Sequence, residues 1–94
     1  MVQISWTSLA ISDLQSIYDY IAKDSITYAG RFIDKLIARV DILEAHPESG
    51  RIVPEFDNPA IKELIEGAYR IIYRLVNEEK VEIIRVHHSA RLLK

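Results

Sequence analysis

Tyr69-Arg70-Ile71-Ile72-Tyr73-Arg74-Leu75-Val76, followed by Asn77-Glu78-Glu79-Lys80 and then Val81-Glu82-Ile83-Ile84-Arg85-Val86-His87-His88, decides the fold. Both long runs are rich in β-branched and aromatic residues, and the polar tetrapeptide between them reads as a hairpin turn. At a period of two, Tyr69, Ile71, Tyr73 and Leu75 share one face of the first strand, and Arg70, Ile72 and Arg74 share the other. The same alternation divides the second strand into Val81, Ile83, Arg85 and His87 against Glu82, Ile84, Val86 and His88. Just upstream, Ile61 to Glu66 reads as a further strand, so the C-terminal half predicts a three-stranded antiparallel meander.

Before this meander lies a loop from Pro47 to about Pro59 that carries Arg51, Pro54, Glu55, Asp57 and Asn58. A connection of this length in a small domain is either functional or merely tolerated. His46-Pro47 ends what precedes it, because the residue before a proline is pushed out of the helical region. Upstream of it, Ala29, Phe32, Ile33, Leu36, Ile37, Val40 and Leu43 keep helical spacing, with Asp24 and Ser25 offering caps. Ile11, Leu14, Ile17, Tyr18 and Ile21 mark an earlier helix that starts at Thr7-Ser8, runs to about Ala22 and turns Asp13, Gln15, Asp19 and Lys23 to water. Val2, Ile4 and Trp6 alternate as a strand. The expected architecture is α+β: an N-terminal strand, an antiparallel helical hairpin and the meander, in one mostly antiparallel sheet covered on one face by the helices.

A chain of 94 residues supports one such domain, spanning residues 1–94, and leaves no room for a second. It has no cysteine, which removes disulfides and thiolate metal sites. The longest charge-free stretch is Met1 to Ser12, and no Lys or Arg precedes Lys23. Neither a spanning helix nor a secretory leader is expected, and the reading is a cytoplasmic protein with no membrane partner. The net charge of -2 argues against broad, non-specific binding of nucleic acid. That total hides a gradient: residues 67–94 carry six basic groups against three acidic, net +3, while residues 1–66 are net -5. The basic final third suggests a localised anion-facing surface.

Two constellations lie there. If the helices cover only one face of the sheet, Arg70 and Arg74 occupy the opposite, partly open face; the alternative is cross-strand pairing with Glu63, Glu66 or Glu82. His87, His88 and Arg91 form the second group. A histidine trades protons near neutral pH and an arginine holds phosphate, which together suit RNA cleavage, although neighbouring histidines in a strand point to opposite faces. Zinc needs three or four convergent ligands, and the remaining histidine, His46, is far away at a helix end, so no metal and no cofactor is expected.

Taken in order, Trp6, Asp13-Leu14, Ile17, Tyr20-Ile21, Ala29, Phe32, Leu43, Pro47, Gly50-Arg51, Tyr69-Arg70-Ile71-Ile72-Tyr73, Val86, His88 and Arg91 resemble the RelE/ParE superfamily of toxins. The resemblance covers nearly the whole chain. It implies the toxin half of a type II toxin–antitoxin pair, also called a plasmid stabilisation protein, neutralised by a small co-encoded antitoxin.

That superfamily holds two activities on one fold. The RelE-like branch cleaves messenger RNA on the ribosome and is rich in Lys and Arg; the ParE branch inhibits DNA gyrase. This chain is acidic, has only Lys62 in its second-strand region and has no tyrosine after Tyr73, so a lysine-rich centre and a C-terminal catalytic tyrosine are both missing. The ParE-like reading, a gyrase inhibitor with no catalytic residue and no direct nucleic-acid binding, is therefore expected. The alternative is a ribonuclease using Arg70, His88 and Arg91. On the ParE-like reading, Arg70, Arg74, His88 and Arg91 form a cationic surface for target or antitoxin, with Glu55 as a further contact. The antitoxin is expected in an apolar groove between hairpin and sheet, against exposed parts of Leu36, Val40 and Leu43, with Ile33 and Ile37 kept in the core.

Overall fold

The computed structural model describes residues 1–90. The chain forms β1 (Gln3–Trp6), α1 (Ser8–Ala22), α2 (Ile26–Asp41) with a 3-10 turn at Ile42–Glu44, β2 (Arg51–Ile52), β3 (Ile61–Glu66), β4 (Tyr69–Asn77) and β5 (Lys80–His88). Each helix begins where a hydroxyl can cap it. Thr7 accepts the Ala10 N–H at 3.0 Å, and Ser25 accepts the Tyr28 N–H at 3.1 Å. None of these helices is long and apolar enough to cross a membrane.

The strands form one sheet in the order β1-β5-β4-β3-β2. The meander is antiparallel as expected, while β1 lies parallel to β5 at one edge, pairing Gln3 with Lys80 and Trp6 with Ile83. A fifth strand, β2, adds the other edge, where the sequence suggested only loop; two residues are too few to show a period. The β3–β4 turn takes Gly67 through φ 58°, a left-handed conformation that suits glycine.

Simple alternation fails inside β5. The β4 partners shift between Ile72, opposite Arg85, and Tyr73, opposite Ile83, so Ile84 is an extra residue. This bulge puts Val81, Ile83 and Val86 together in the core, instead of parting Val86 from the other two.

The main core lies between the sheet and the helices. Ala10, Ile17, Leu36, Val40, Leu43, Leu64, Ile71, Tyr73, Val81, Ile83 and Val86 are buried there, flanked by Val2, Ile4, Trp6 and Leu14. The helical stripes are slightly rotated from the expected ones. On α1 the buried line runs through Ala10, Leu14, Ile17 and Ile21, so Ile11 turns outward and is 56% exposed. On α2 it runs through Ala29, Leu36, Val40 and on to Leu43. Ile37, one residue and 100° round the helix from Leu36, is consequently 40% exposed and not core.

Tyr73 ties the long loop to the core. Its hydroxyl donates to the Pro47 carbonyl and accepts the Gly50 N–H, both at 2.9 Å. Gly50 is so close that a Cβ there would meet the Tyr73 hydroxyl at 2.5 Å and the Glu63 carbonyl oxygen at 2.6 Å. Burial of the ring also raises the Tyr73 phenol above its ordinary pKa, so it stays a neutral donor. Tyr73→Phe removes both hydrogen bonds and should destabilise the fold by about 1–3 kcal/mol in a urea melt. Gly50→Ala should destabilise by about as much through overpacking, because one of its neighbours is rigid backbone.

Candidate functional site

The face of the sheet away from the helices is closed by the loop between β2 and β3. Val53 and Ile72 are buried on it, beside a carboxylate, Glu63, whose side chain is fully buried. A carboxylate in such a place requires cations. Arg70 Nε donates to Glu63 Oε1 at 2.5 Å and Arg51 Nε donates to Glu63 Oε2 at 2.6 Å. The β3–β4 register explains the first pair: Glu63 lies opposite Ile72 and Ile65 opposite Arg70, making Glu63 and Arg70 diagonal neighbours on one face.

The remaining edge of the Arg70 guanidinium meets the loop. Nη1 and Nη2 donate to the two oxygens of Glu55 at 2.6 and 2.8 Å, a bidentate fork. These hydrogen bonds hold the Glu55 carboxyl down at about 2 and raise Arg70 further above its already high pKa. Arg70 and Glu55, both expected in the site, are thus brought together, but as partners. Arg70 is only 7% exposed, which corrects the expectation of an open cationic face: the loop covers the side that the helices leave bare.

Among the described residues of the final third, two further arginines are engaged as well. Arg74 donates to Glu82 at 3.2 Å in an exposed pair of the kind that contributes little. Arg85 forms a two-point pair with Asp13, at 3.0 and 2.9 Å, and Asp13 also accepts the Val86 N–H at 2.9 Å. Sequence reasoning placed Asp13 in water and missed this link. It fastens α1 to the edge of β5 beyond the end of β1, where the Val86 N–H has no neighbouring strand to bond. Among the described residues, Arg70 and Arg85 are thus neutralised by Glu55, Glu63 and Asp13 from the acidic part of the chain.

His88 lies on the other face from Arg70. It stands opposite Tyr69 in the β4–β5 register, packs edge-on against that ring with centroids 5.2 Å apart, and accepts the Ala90 N–H on Nδ1 at 3.1 Å. Tyr69 in turn packs on Phe32 of α2, whereas Arg70 stands opposite His87. His88 borders an open cleft of about 710 Å³ with Asp13, Tyr20, Lys23, Arg85 and His87. Arg91 lies outside the described residues.

The residues expected to line an antitoxin groove are not at the surface. Leu36, Val40 and Leu43 are 0%, 1% and 0% exposed, sealed by the sheet, and offer no surface. On the outside of the hairpin the exposed Ile11 joins the half-buried Leu14, Tyr18 and Ile33, the last packed against the core as expected, in lining a shallow cleft of about 310 Å³.

Arg70→Met should destabilise the protein by about 3 kcal/mol in chemical denaturation, because it leaves Glu63 buried with Arg51 alone. Glu55 makes a separate, pH-dependent contribution. Its folded pKa lies below the ordinary value of 4.5, so its stabilisation is complete above pH 4.5 and fades as pH falls towards about 2. Glu55→Gln should lack that part of the acid-induced loss of stability, as read from melting temperatures between pH 5 and 2.

Comparison with known proteins agrees with this architecture. A model for the ParE toxin of the type II toxin–antitoxin system, parDE, matches residues 4–93. Toxin RelE2 of Caulobacter vibrioides is 35% identical over 92 residues, covering 98% of this chain and all of that one. Among solved structures, the chromosomal ParDE system of P. aeruginosa shares the fold at a TM-score of 0.75 and 23% identity, covering 94% of this chain and 96% of that one. The toxin–antitoxin complex RelBE2 of Mycobacterium tuberculosis also shares it, at 0.55 and 23%, covering 93% and 96%. With the match running through every strand and both helices, this chain belongs to the ParE toxin family of type II toxin–antitoxin systems.

Proposed function

We propose that this toxin acts as the ParE branch does, inhibiting DNA gyrase and thereby replication without cleaving RNA, and that a co-encoded antitoxin neutralises it. The observation that carries this reading is the placement of Arg70 and His88. General acid–base cleavage of RNA needs a proton-transfer group and a phosphate-holding cation within reach of the same phosphate. Here the sheet lies between the two, and Arg70 already has carboxylates on both of its edges. The acidic total charge points the same way, since ribosomal RNA is engaged by many cations. The name of the Caulobacter vibrioides relative keeps a RelE-like, ribosome-dependent endoribonuclease as the second reading.

Purified toxin added to gyrase and relaxed plasmid should suppress supercoiling or leave cleaved DNA. Unimpaired supercoiling at high toxin concentration would sink the proposal. Messages in a reconstituted translation system should stay intact, and toxin-dependent truncation there would instead establish the second reading.

The antitoxin, on this proposal, lays an amphipathic segment along the outside of the hairpin, against the exposed Ile11 and Ile37 and the half-buried Tyr18 and Ile33 between them. Ile37→Glu should weaken antitoxin binding tenfold or more, about 1.4 kcal/mol, in calorimetric titration. Because the residue is 40% exposed, its cost to folding should be smaller than that of a core substitution, and a urea melt of the free toxin separates that cost from the loss of binding.

A further inference from the structure

The Arg70 guanidinium has an inner and an outer side, and the two are fixed very differently. Nε on the inner side is held by Glu63, fully buried in the middle of β3. The outer nitrogens, Nη1 and Nη2, are both given to Glu55, in the parallel geometry that recognises one planar anion. Glu55 stands on a loop in which residues 54–59 are all exposed. That loop is anchored at its start by the Val53 N–H, which donates to the Ile61 carbonyl, and at its end by Asn58, whose side chain and carbonyl accept the Ala60 and Ile61 N–H groups. At its tip, the Phe56 N–H donates to the Val53 carbonyl and Glu55 holds Arg70. The Glu55 side chain is 39% exposed against 9% for Arg70. A buried cation closed on its outer side by an exposed carboxylate is an anion site whose occupant is supplied by the chain itself.

We propose that Arg70 is a carboxylate-exchange site, in which Glu55 stands in for an acidic side chain of a docked protein partner that displaces it and takes the same two guanidinium nitrogens. This rests on the reading of the chain as a protein-binding toxin and names the chemistry of one contact. Charge favours a carboxylate over a nucleic-acid backbone. With Glu55 withdrawn, Arg51 and Arg70 face Glu63 and leave one net positive charge, which a single carboxylate balances. A polyphosphate needs several clustered cations, whereas the site offers this single excess charge and the loop adds Asp57; Glu48 and Lys62 pair with each other nearby. Tethering gives Glu55 an effective concentration in the mM range. Free carboxylates well below that concentration compete poorly with it, whereas a partner held by further contacts competes well, which favours docked protein.

The test compares wild type with Glu55→Ala, titrating sodium acetate against sodium chloride at equal ionic strength and following the Arg70 Nε–H by nitrogen-15 NMR. Glu55→Ala should show a saturable, acetate-specific shift at a midpoint about tenfold or more below any response of wild type. Glu55→Gln, which keeps the shape of the side chain, should respond in the same direction and carries the test if the alanine variant does not fold. No acetate-specific shift in either variant, or an equal response in wild type, would overturn the proposal. Tighter binding of inorganic phosphate than of acetate would also overturn it, in favour of a phosphate-bearing partner. Because no gyrase or antitoxin is present, failure here leaves the supercoiling result untouched, and failure there leaves this one untouched.

Discussion

A fully buried carboxylate, Glu63, sets the terms for one whole face of this protein. An ionised side chain removed from water is costly unless it is paired and hydrogen-bonded. Arg70 and Arg51 meet that demand from different segments, one from the neighbouring strand and one from the short edge strand β2. Arg70 is then itself a buried cation with two further nitrogens, Nη1 and Nη2, each of which donates to Glu55. The chain of requirements thus runs from the sheet into the loop. It also keeps the loop over Ile72 and Val53, which would otherwise lie bare on the face that the helices do not cover.

The opposite face depends on apolar packing, and polar links serve mainly to seal its edges. Leu36, Val40 and Leu43 of the helical layer are fully enclosed against Ile71, Tyr73 and Ile83. Asp13 closes the upper edge of β5 by accepting the Val86 N–H while it pairs with Arg85. Tyr73 does the equivalent work at the start of the loop, with its ring in the core and its hydroxyl on backbone groups of Pro47 and Gly50. The two faces are therefore coupled through adjacent residues of β4: Tyr73 fixes where the loop begins, and Arg70 fixes where its tip lies.

This arrangement bears on activity. A surface able to hold RNA phosphates would need cations free of internal partners, yet Arg70, Arg74 and Arg85 all bond to carboxylates of the same chain. What the molecule offers to a partner is chiefly an apolar strip on the outside of the helical hairpin and a guanidinium guarded by a loop. Both are consistent with the proposed function, in which the partners are proteins.

Much of this was legible in the sequence. The strand and helix positions followed from periods of two and 3.6, because those periods record which side of an element is dry. The pairing partners Glu63 for Arg70 and Glu82 for Arg74 were within reach of the same reasoning, since they lie on adjacent strands of a short meander. The sequence by itself determined the α+β class, the helical hairpin and the family. Only the tertiary structure decided that Asp13 meets Arg85 across 72 positions, that a bulge at Ile84 returns Val86 to the core, and that the loop brings Glu55 onto Arg70. The physical reason is that local patterns fix the faces of single elements, whereas register shifts, loop paths and long-range ion pairs are set by how those elements close on one another.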